Sequence, residues 1–235
     1  LTNADADVLL SDFIRQYPQS LYLNKASFLL ADFYSDAKKF EQALAVYRGM
    51  NASALEGESW YEYHYKYGHC LFLNGNYDEA VTELDKVREA KSRYAASASY
   101  FHAHIMYEQQ QYEPALKEFL DLQQDKNFGK IVPYYIAQIY YYRGNYEELI
   151  EIAPSLSEKS QSKRSGELNR MLGDAYYKLG RYKEAIPYLE KAVQQESADA
   201  QDYYLLGYTL LEEKEYAKAK PYLLKATDNR DSLAQ

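Results

Sequence analysis

Four histidines and one cysteine are the residues of this 235-residue chain best suited to metal or nucleophile chemistry. His64 and His69 are five residues apart and His102 and His104 are two apart, whereas a metal-binding pair on one helix face is separated by four. His69 and His104 could meet between neighbouring helices, but two ligands make a poor zinc site. Cys70 follows His69 directly, so on a helix it points about 100° away. A single cysteine also excludes an intramolecular disulfide and a cysteine-based zinc site. We therefore expect no metal.

Other catalytic patterns are absent from the sequence. It has no Ser-His-Asp order, glycine-rich phosphate loop or nucleophile elbow. Acidic pairs such as Glu147-Glu148 and Glu212-Glu213 are typical of solvated helix surface. We predict that the chain is not an enzyme and needs no cofactor. Its formal charge of −8 argues against nucleic-acid and anionic-membrane partners. The chain has no run of about 18 apolar residues, so we predict no membrane insertion.

The elements that would position these residues repeat along the chain. Leu172-Gly173-x-x-Tyr176 and Gly180-x-Tyr182-x-x-Ala185 have counterparts in Leu206-Gly207 and Tyr216-x-x-Ala219. If the glycine is numbered as the eighth place of a repeat, the eighth places are Ala31, Gly68, Ala103, Ala137, Gly173 and Gly207, with separations of 37, 35, 34, 36 and 34 residues. The twentieth places are Ala43, Ala80, Ala115, Leu149, Ala185 and Ala219. Such a period is typical of a solenoid, and small residues at these places let paired helices approach closely.

These residues resemble the tetratricopeptide repeat (TPR), a unit of two antiparallel helices, A and B. The resemblance implies an all-α fold, a right-handed α-solenoid of antiparallel helix pairs (a TPR superhelix), and binding rather than catalysis. We predict one solenoid over residues 1–235. Residues 1–19 would be the helix B of a preceding repeat, 20–153 would hold repeats 1–4, and 166–235 would hold repeats 5–6. Pro154 and the polar stretch after it predict a shortened helix and an irregular joint at 154–165.

Turn residues between helices A and B vary among the repeats. Gly75, Gly144 and Gly180 follow helix A, where a left-handed cap favours glycine. In the third repeat, Gln109-Gln110-Gln111 replaces the glycine, so we expect a solvated turn with less cap stabilisation.

One stripe of helix A is the predicted binding surface. Places five, nine and twelve share a face that, by the resemblance, lines the concave groove. The aromatic content is concentrated in repeats two to four, where we place the ligand. The predicted groove residues are Tyr65, His69, Phe72, Tyr100, His104, Tyr107, Tyr134, Gln138, Tyr141, Tyr204 and Tyr208.

Several functions fit such a stripe. The first is a scaffold whose groove binds a peptide or a segment of a protein partner, anchored by aromatic contacts. The second is a carbohydrate-binding or cell-envelope assembly module in which tyrosines stack on sugar rings. The third is a structural spacer within a longer chain, and the rings would then only pack between helices. Lys25 and Arg170 lie in separate repeats, so a carboxylate clamp of the kind known in TPR proteins is not expected.

Both ends of the chain fall inside the repeat pattern, which favours a fragment of a larger bacterial TPR protein over a natural terminus with loose ends. We expect a monomer. Tyr17-Pro18 and the residues up to Tyr34 also resemble bacterial envelope TPR proteins. That resemblance favours the periplasm or cell envelope over the cytoplasm and leaves the compartment and the partner unnamed.

Overall fold

The computed structural model describes residues 5–157 and 165–231, and within them the chain is helical without strands. Thirteen α-helices follow one another in the described residues: α1 (Ala6–Gln16), α2 (Leu23–Asp36), α3 (Phe40–Gly49), α4 (Glu58–Leu73), α5 (Tyr77–Arg88), α6 (Ala95–Glu108), α7 (Tyr112–Asp121), α8 (Val132–Arg143), α9 (Tyr146–Ser157), α10 (Ser165–Lys178), α11 (Tyr182–Ala192), α12 (Ala200–Glu212) and α13 (Tyr216–Asp231). A short 3-10 turn covers Ala52–Ala54.

The chain divides into two compact units, Leu1–Asp125 (unit 1) and Lys126–Gln235 (unit 2). In unit 1, α1 packs on α2, and three helix pairs follow it: α2 with α3, α4 with α5, and α6 with α7. In unit 2 the pairs are α8 with α9, α10 with α11, and α12 with α13. These six pairs are the predicted repeats, so the all-α solenoid of helix pairs is confirmed.

Helices A and B cross closely at the eighth and twentieth places. All six residues at the twentieth place are 0% exposed, including Leu149, and all six eighth places are buried. A Cβ added at Gly173 would lie 2.5 Å from Leu189 Cδ2, and one at Gly207 would lie 2.7 Å from Leu223 Cδ2. Glycine is therefore required in these repeats because a leucine of helix B fills the space of its missing side chain.

The residue of helix B that faces the eighth place varies with it. Where the eighth place is glycine, place 24 is a leucine: Leu84, Leu189 or Leu223. Repeats 1 and 3 instead have alanine at the eighth place and a fully buried ring, Tyr47 or Phe119, at place 24. The combination of residues at the two places thus differs between the glycine repeats and repeats 1 and 3.

Every described turn from helix A to helix B has the same backbone form. Place 15 has a positive φ in all six repeats, in Lys38, Gly75, Gln110, Gly144, Gly180 and Lys214. The next amide donates to the carbonyl of place 11 at 2.8–2.9 Å, as from Gln111 N to Met106 O. This is a Schellman cap. Gln110 therefore occupies the left-handed conformation at φ 59° that glycine adopts elsewhere.

Helix α9 corrects the expectation of a helix shortened at Pro154. It runs from Tyr146 to Ser157, so the first part of the predicted joint is helical. A proline removes one backbone hydrogen bond from a helix without having to end it. The last turn also carries Leu156, which is 4% exposed in a core cluster with Leu149, Leu168 and Leu172. Burial of Leu156 favours continuation of the helix, and residues 158–164 lie outside the described residues.

Packing is also continuous from repeat 4 to repeat 5, because this cluster joins α9 to α10. The division between the units falls at residue 125, between repeats 3 and 4. The single-solenoid assignment and the role of residues 1–19 stay predictions.

Candidate binding face of the A helices

In unit 1, the predicted residues of α4 and α6 meet in a continuous aromatic band. On α4, the Tyr65 and His69 rings are stacked with centroids 5.9 Å apart, and Phe72 follows 6.5 Å from His69. Phe72 meets His104 of α6 edge to face at 5.4 Å. His104 in turn lies 6.1 Å from Tyr100. The band is half-buried, so each ring has one side in a packing contact and part of its surface exposed.

Phe101 is the ring at the centre of this band and was not among the predicted groove residues. Its centroid lies 4.3 Å from His69 and 5.2 Å from Phe72, which makes it the nearest aromatic contact of both. Phe101 occupies the sixth place, beside the stripe of places five, nine and twelve, and therefore reaches back to α4. The sequence feature that could have identified it is a phenylalanine at this place. The other repeats carry Leu29, Lys66, Tyr135, Met171 and Leu205 there.

His69 is a neutral member of the band. Burial lowers the pKa of His69, so its ring is uncharged at neutral pH. Tyr107, the remaining predicted residue of unit 1, lies at the end of the band with its ring 6.2 Å from His104. Edge-to-face and stacked contacts at these distances stabilise the packing of α4 on α6.

In unit 2, the predicted residues of α8 form hydrogen bonds with the next A helix. Tyr134 donates to Glu167 Oε2, and Gln138 Nε2 donates to Glu167 Oε1 at 2.9 Å. Tyr141 donates to Asp174 Oδ2 at 2.6 Å. Gln138 is 6% exposed. These residues therefore connect α8 to α10. Their acidic partners, Glu167 and Asp174, were not among the predicted groove residues.

A lysine completes the group around Tyr141. Lys178 Nζ lies 2.9 Å from Asp174 Oδ2 and donates to the Tyr146 hydroxyl at 3.0 Å. It also lies 5.4 Å from the centre of the Tyr141 ring. Burial raises the pKa of Tyr141, and the hydrogen bond to Asp174 raises it further. Burial opposes the charge of Lys178, but its bonds to Tyr146 and Asp174 outweigh this and raise its pKa.

Arg170 takes the fifth place in repeat 5, where the other repeats carry an aromatic ring. Its guanidinium forms a bidentate ion pair with Asp202 of α12, and Nη2 lies 2.5 Å from Oδ2. Asp202 is 3% exposed and also accepts from the Asp199 amide in the capping box that begins α12. Arg170 therefore stabilises the packing of repeat 5 on repeat 6.

Repeat 6 presents the most exposed rings of the stripe. Tyr204 is 54% exposed and is stacked on Tyr208 with centroids 5.9 Å apart. Tyr208 meets Tyr177 of α10 edge to face at 6.2 Å. These tyrosines form an open patch on the A helices of unit 2.

The other histidines lie between helices A and B, as expected of ordinary interhelix residues. His64 Nδ1 is 2.5 Å from Glu83 Oε2. His102 Nδ1 is 2.9 Å from Glu118 Oε1, although the two atoms are not aligned as in a hydrogen bond. Cys70 is buried, and this burial raises the pKa of its thiol to about 11. Among the described residues, no three His, Cys, Asp or Glu side chains converge as metal ligands.

Known proteins match both the sequence and the fold. The tetratricopeptide repeat family model matches residues 170–234, and a second model of the same description matches residues 61–93. These two segments of the chain are therefore tetratricopeptide repeats. They have the helix pairs, the small residues at the crossing and the turn described above.

Solved structures with this fold include three groups of TPR proteins. A TPR protein from Parabacteroides merdae is 18% identical with a TM-score of 0.61, and the match covers 97% of this chain and 86% of that one. MamA from MSR-1 is 17% identical with a TM-score of 0.60, covering 73% and 97%. The C-terminal part of a TPR protein from Cytophaga hutchinsonii is 17% identical with a TM-score of 0.63, covering 86% and 78%. No curated protein sequence matches the chain.

Protein-interaction scaffold is the general class of function that TPR repeats support. None of the described helices has the length and apolar character that a membrane span requires.

Proposed function

We propose that the A-helix face binds an extended segment of a protein partner. The observation that carries this proposal is the continuous, half-buried aromatic band on α4 and α6, made by Tyr65, His69, Phe72, Phe101 and His104. Rings that already hold one another need little further ordering when a ligand arrives, so binding loses little side-chain entropy. Aromatic surface of this kind is favoured at interfaces.

The polar groups of the band suit a peptide better than a charged ligand. His69 is neutral because it is buried, and it lies between apolar rings. A neutral imidazole has one donor and one acceptor, which match a peptide group. The acidic balance of unit 1, with 19 Asp and Glu against 11 Lys and Arg, also disfavours an acidic partner.

Photo-crosslinking tests which face binds. p-Benzoylphenylalanine replaces Tyr107 at the end of the band or the exposed Tyr204 in unit 2. The control replaces Tyr216, which is 63% exposed on a B helix. We expect the Tyr107 position to form an adduct with a partner polypeptide. Any adduct from the Tyr204 position should contain the same polypeptide, and the Tyr216 position should form none. Equal adducts from Tyr216, or none from Tyr107, would contradict the proposal.

A carbohydrate ligand is the alternative that the exposed Tyr204, stacked on the half-buried Tyr208, allows. A glycan array probed with the same chain separates the two. Glycan binding that is lost on Tyr204→Ala, together with no polypeptide adduct, would assign the face to sugars.

A further inference from the structure

A cavity of unit 1 opens between α2 and α4. It has a volume of about 560 Å³, and Phe28 and Asp32, the fifth and ninth places of repeat 1, line it. Repeats 1 and 2 are separated by 37 residues, the longest spacing in the chain. The inserted residues form the loop with the 3-10 turn, whose Leu55 and Glu56 make one wall of the cavity. The insertion thus leaves a pocket between α2 and α4, whereas packed rings fill the corresponding space between α4 and α6.

The apolar part of this pocket is open to solvent. Leu21 is 99% exposed and Leu29 is 51% exposed at the rim, and the half-buried Phe28 ring lies beside them. Exposed apolar residues that cluster in this way, rather than occurring singly, are typical of a surface that binds a partner. A bound apolar side chain would remove this surface from water.

Charged groups around the pocket already hold one ammonium group. Lys66 Nζ lies 2.7 Å from Asp32 Oδ2 and 2.9 Å from Glu62 Oε1, and it is 5.5 Å from the centre of the Phe28 ring. Burial opposes its charge, but the bonds to Asp32 and Glu62 outweigh this and raise its pKa. The site therefore stabilises a cation by carboxylates and a ring together.

Negative charge remains in excess at the rim. The lining has three carboxylates, Asp32, Glu56 and Glu62, against the ammonium groups of Lys25 and Lys66. The whole formal charge of −8 also belongs to residues 1–125, because residues 126–235 have 16 acidic and 16 basic residues. This field attracts basic ligands and repels acidic ones.

We propose that this pocket binds an apolar side chain next to a lysine or arginine in a partner polypeptide, with the apolar group against Leu21, Phe28 and Leu29 and the cation at Glu56. The proposal rests on the proposed function only in taking the A-helix face as the binding face. It adds a definite position and a definite ligand chemistry to that face.

The test selects a random dodecapeptide phage library on the immobilised full chain, and the enriched peptides are then measured by fluorescence anisotropy. We expect enriched sequences with a large apolar residue within two positions of Lys or Arg. Leu21→Ser and Glu56→Lys should each weaken their binding about tenfold, since both residues contribute contacts to the ligand. The loss with Glu56→Lys should shrink at high salt.

Matched controls use exposed residues of the same unit away from the pocket. Leu9→Ser replaces a leucine that is 51% exposed on α1, and Glu89→Lys replaces a glutamate whose side chain is 80% exposed after α5. Both should bind the peptides like the original chain. All four variants should keep the helical circular dichroism spectrum because the replaced side chains are exposed.

Three outcomes would overturn the proposal: no enrichment, enrichment of acidic peptides, or peptides that bind Leu21→Ser and Glu56→Lys unchanged. A concentration-dependent dimer that Leu21→Ser dissociates would assign the surface to a second copy instead and also overturn it. Failure of the proposed function is seen separately, since crosslinking from Tyr107 reports on the band and the peptide assay reports on the pocket.

Discussion

At the scale of single residues, the crossing of helices A and B depends on a glycine that has no room for a side chain. In repeat 5 this residue is Gly173, and Leu189 of helix B lies against it.

Gly173→Ala should destabilise the protein although alanine favours helices. Alanine gains about 1 kcal/mol in helix propensity. The new Cβ would lie 2.5 Å from Leu189 Cδ2 and 3.2 Å from the Leu189 amide nitrogen. Overpacking of this kind typically costs about 1–3 kcal/mol, so we expect a net loss of up to about 2 kcal/mol in the free energy of unfolding. Urea denaturation followed by circular dichroism measures it.

Gly49→Ala is the matched control for that substitution. Gly49 is also helical, but no atom lies within 4 Å of its added Cβ. The same measurement should show no loss, or a gain of up to about 1 kcal/mol. Equal losses in both variants would mean that the close approach to Leu189 is not the cause.

The small residues at this crossing were predictable, whereas the contacts between neighbouring A helices were not. The spacing of small residues identified Gly173 because every repeat needs a small residue there for close approach. The contacts of Phe101 with α4 and of Tyr134 with Glu167 could not be derived, since they depend on how far each A helix is rotated against the next. Arg170 was identified only as an isolated charge, and its buried partner Asp202 lies 32 residues away.

At the scale of elements, helix positions followed from the repeat, and turn conformations only partly did. Gly75 and Gly180 indicated a left-handed turn, whereas Lys38, Gln110 and Lys214 adopt it without glycine. The hydrogen bond from place 16 to place 11 is kept in each case, so the cap is present where the sequence predicted a weaker one. Helix packing therefore determines this backbone form even where the local residue does not favour it.

Gln110→Gly should stabilise the third repeat. Gln110 has a φ of 59°, a conformation that costs a residue with a side chain about 1 kcal/mol or more. Glycine adopts it without this strain but is more flexible in the unfolded chain, so we expect a net gain of up to about 1 kcal/mol. The midpoint of urea unfolding should rise.

The neighbouring Gln109→Gly separates this effect from a general effect of glycine. Gln109 is equally exposed but has a φ of −80°. Glycine there brings only added flexibility, so the free energy of unfolding should fall by about 0.5–1 kcal/mol. A gain in both variants, or a loss in both, would contradict the strain assigned to Gln110.

At the scale of the whole molecule, the 28 tyrosines make stability depend on alkaline pH. Burial raises the pKa of Tyr63 to about 12, and it also raises the pKa of Tyr47 and Tyr141. In the unfolded chain a tyrosine ionises near pH 10. Above that pH the unfolded state binds fewer protons than the folded state, so stability falls as the pH rises. Lys178 acts in the same direction, because its raised pKa contributes stability that is complete below about pH 10.4 and lost above it.

Urea unfolding at about pH 8 and about pH 10.5 tests this dependence. We expect a clear fall in the unfolding midpoint between the two, and a rise in tyrosinate absorbance that coincides with unfolding. Tyr63→Phe should lessen the fall, although it also removes the hydrogen bond to Tyr47 O. Tyr22→Phe, at a residue that is 68% exposed, should leave the dependence unchanged. A midpoint that is flat across this range would refute the role of the buried hydroxyls.

Composition predicted the overall acidity but not its distribution. The charge of −8 excluded classes of partner, and only the division at residue 125 shows that unit 1 carries all of it. The cavity beside Phe28 was likewise not predictable, because a three-residue insertion alone does not say whether a loop fills a gap or opens one.

The pairing of residues at places 8 and 24 restricts how such a chain can grow by gene duplication. A helix A with Gly173 leaves room for Leu189 of its helix B, whereas repeat 3 combines Ala103 with Phe119. A helix A with alanine at place 8 would clash on the helix B of repeat 5, because a Cβ at Gly173 would lie 2.5 Å from Leu189 Cδ2. New copies are therefore viable mainly when the whole hairpin is inherited together, and artificial arrays built from this chain should be assembled from intact hairpins.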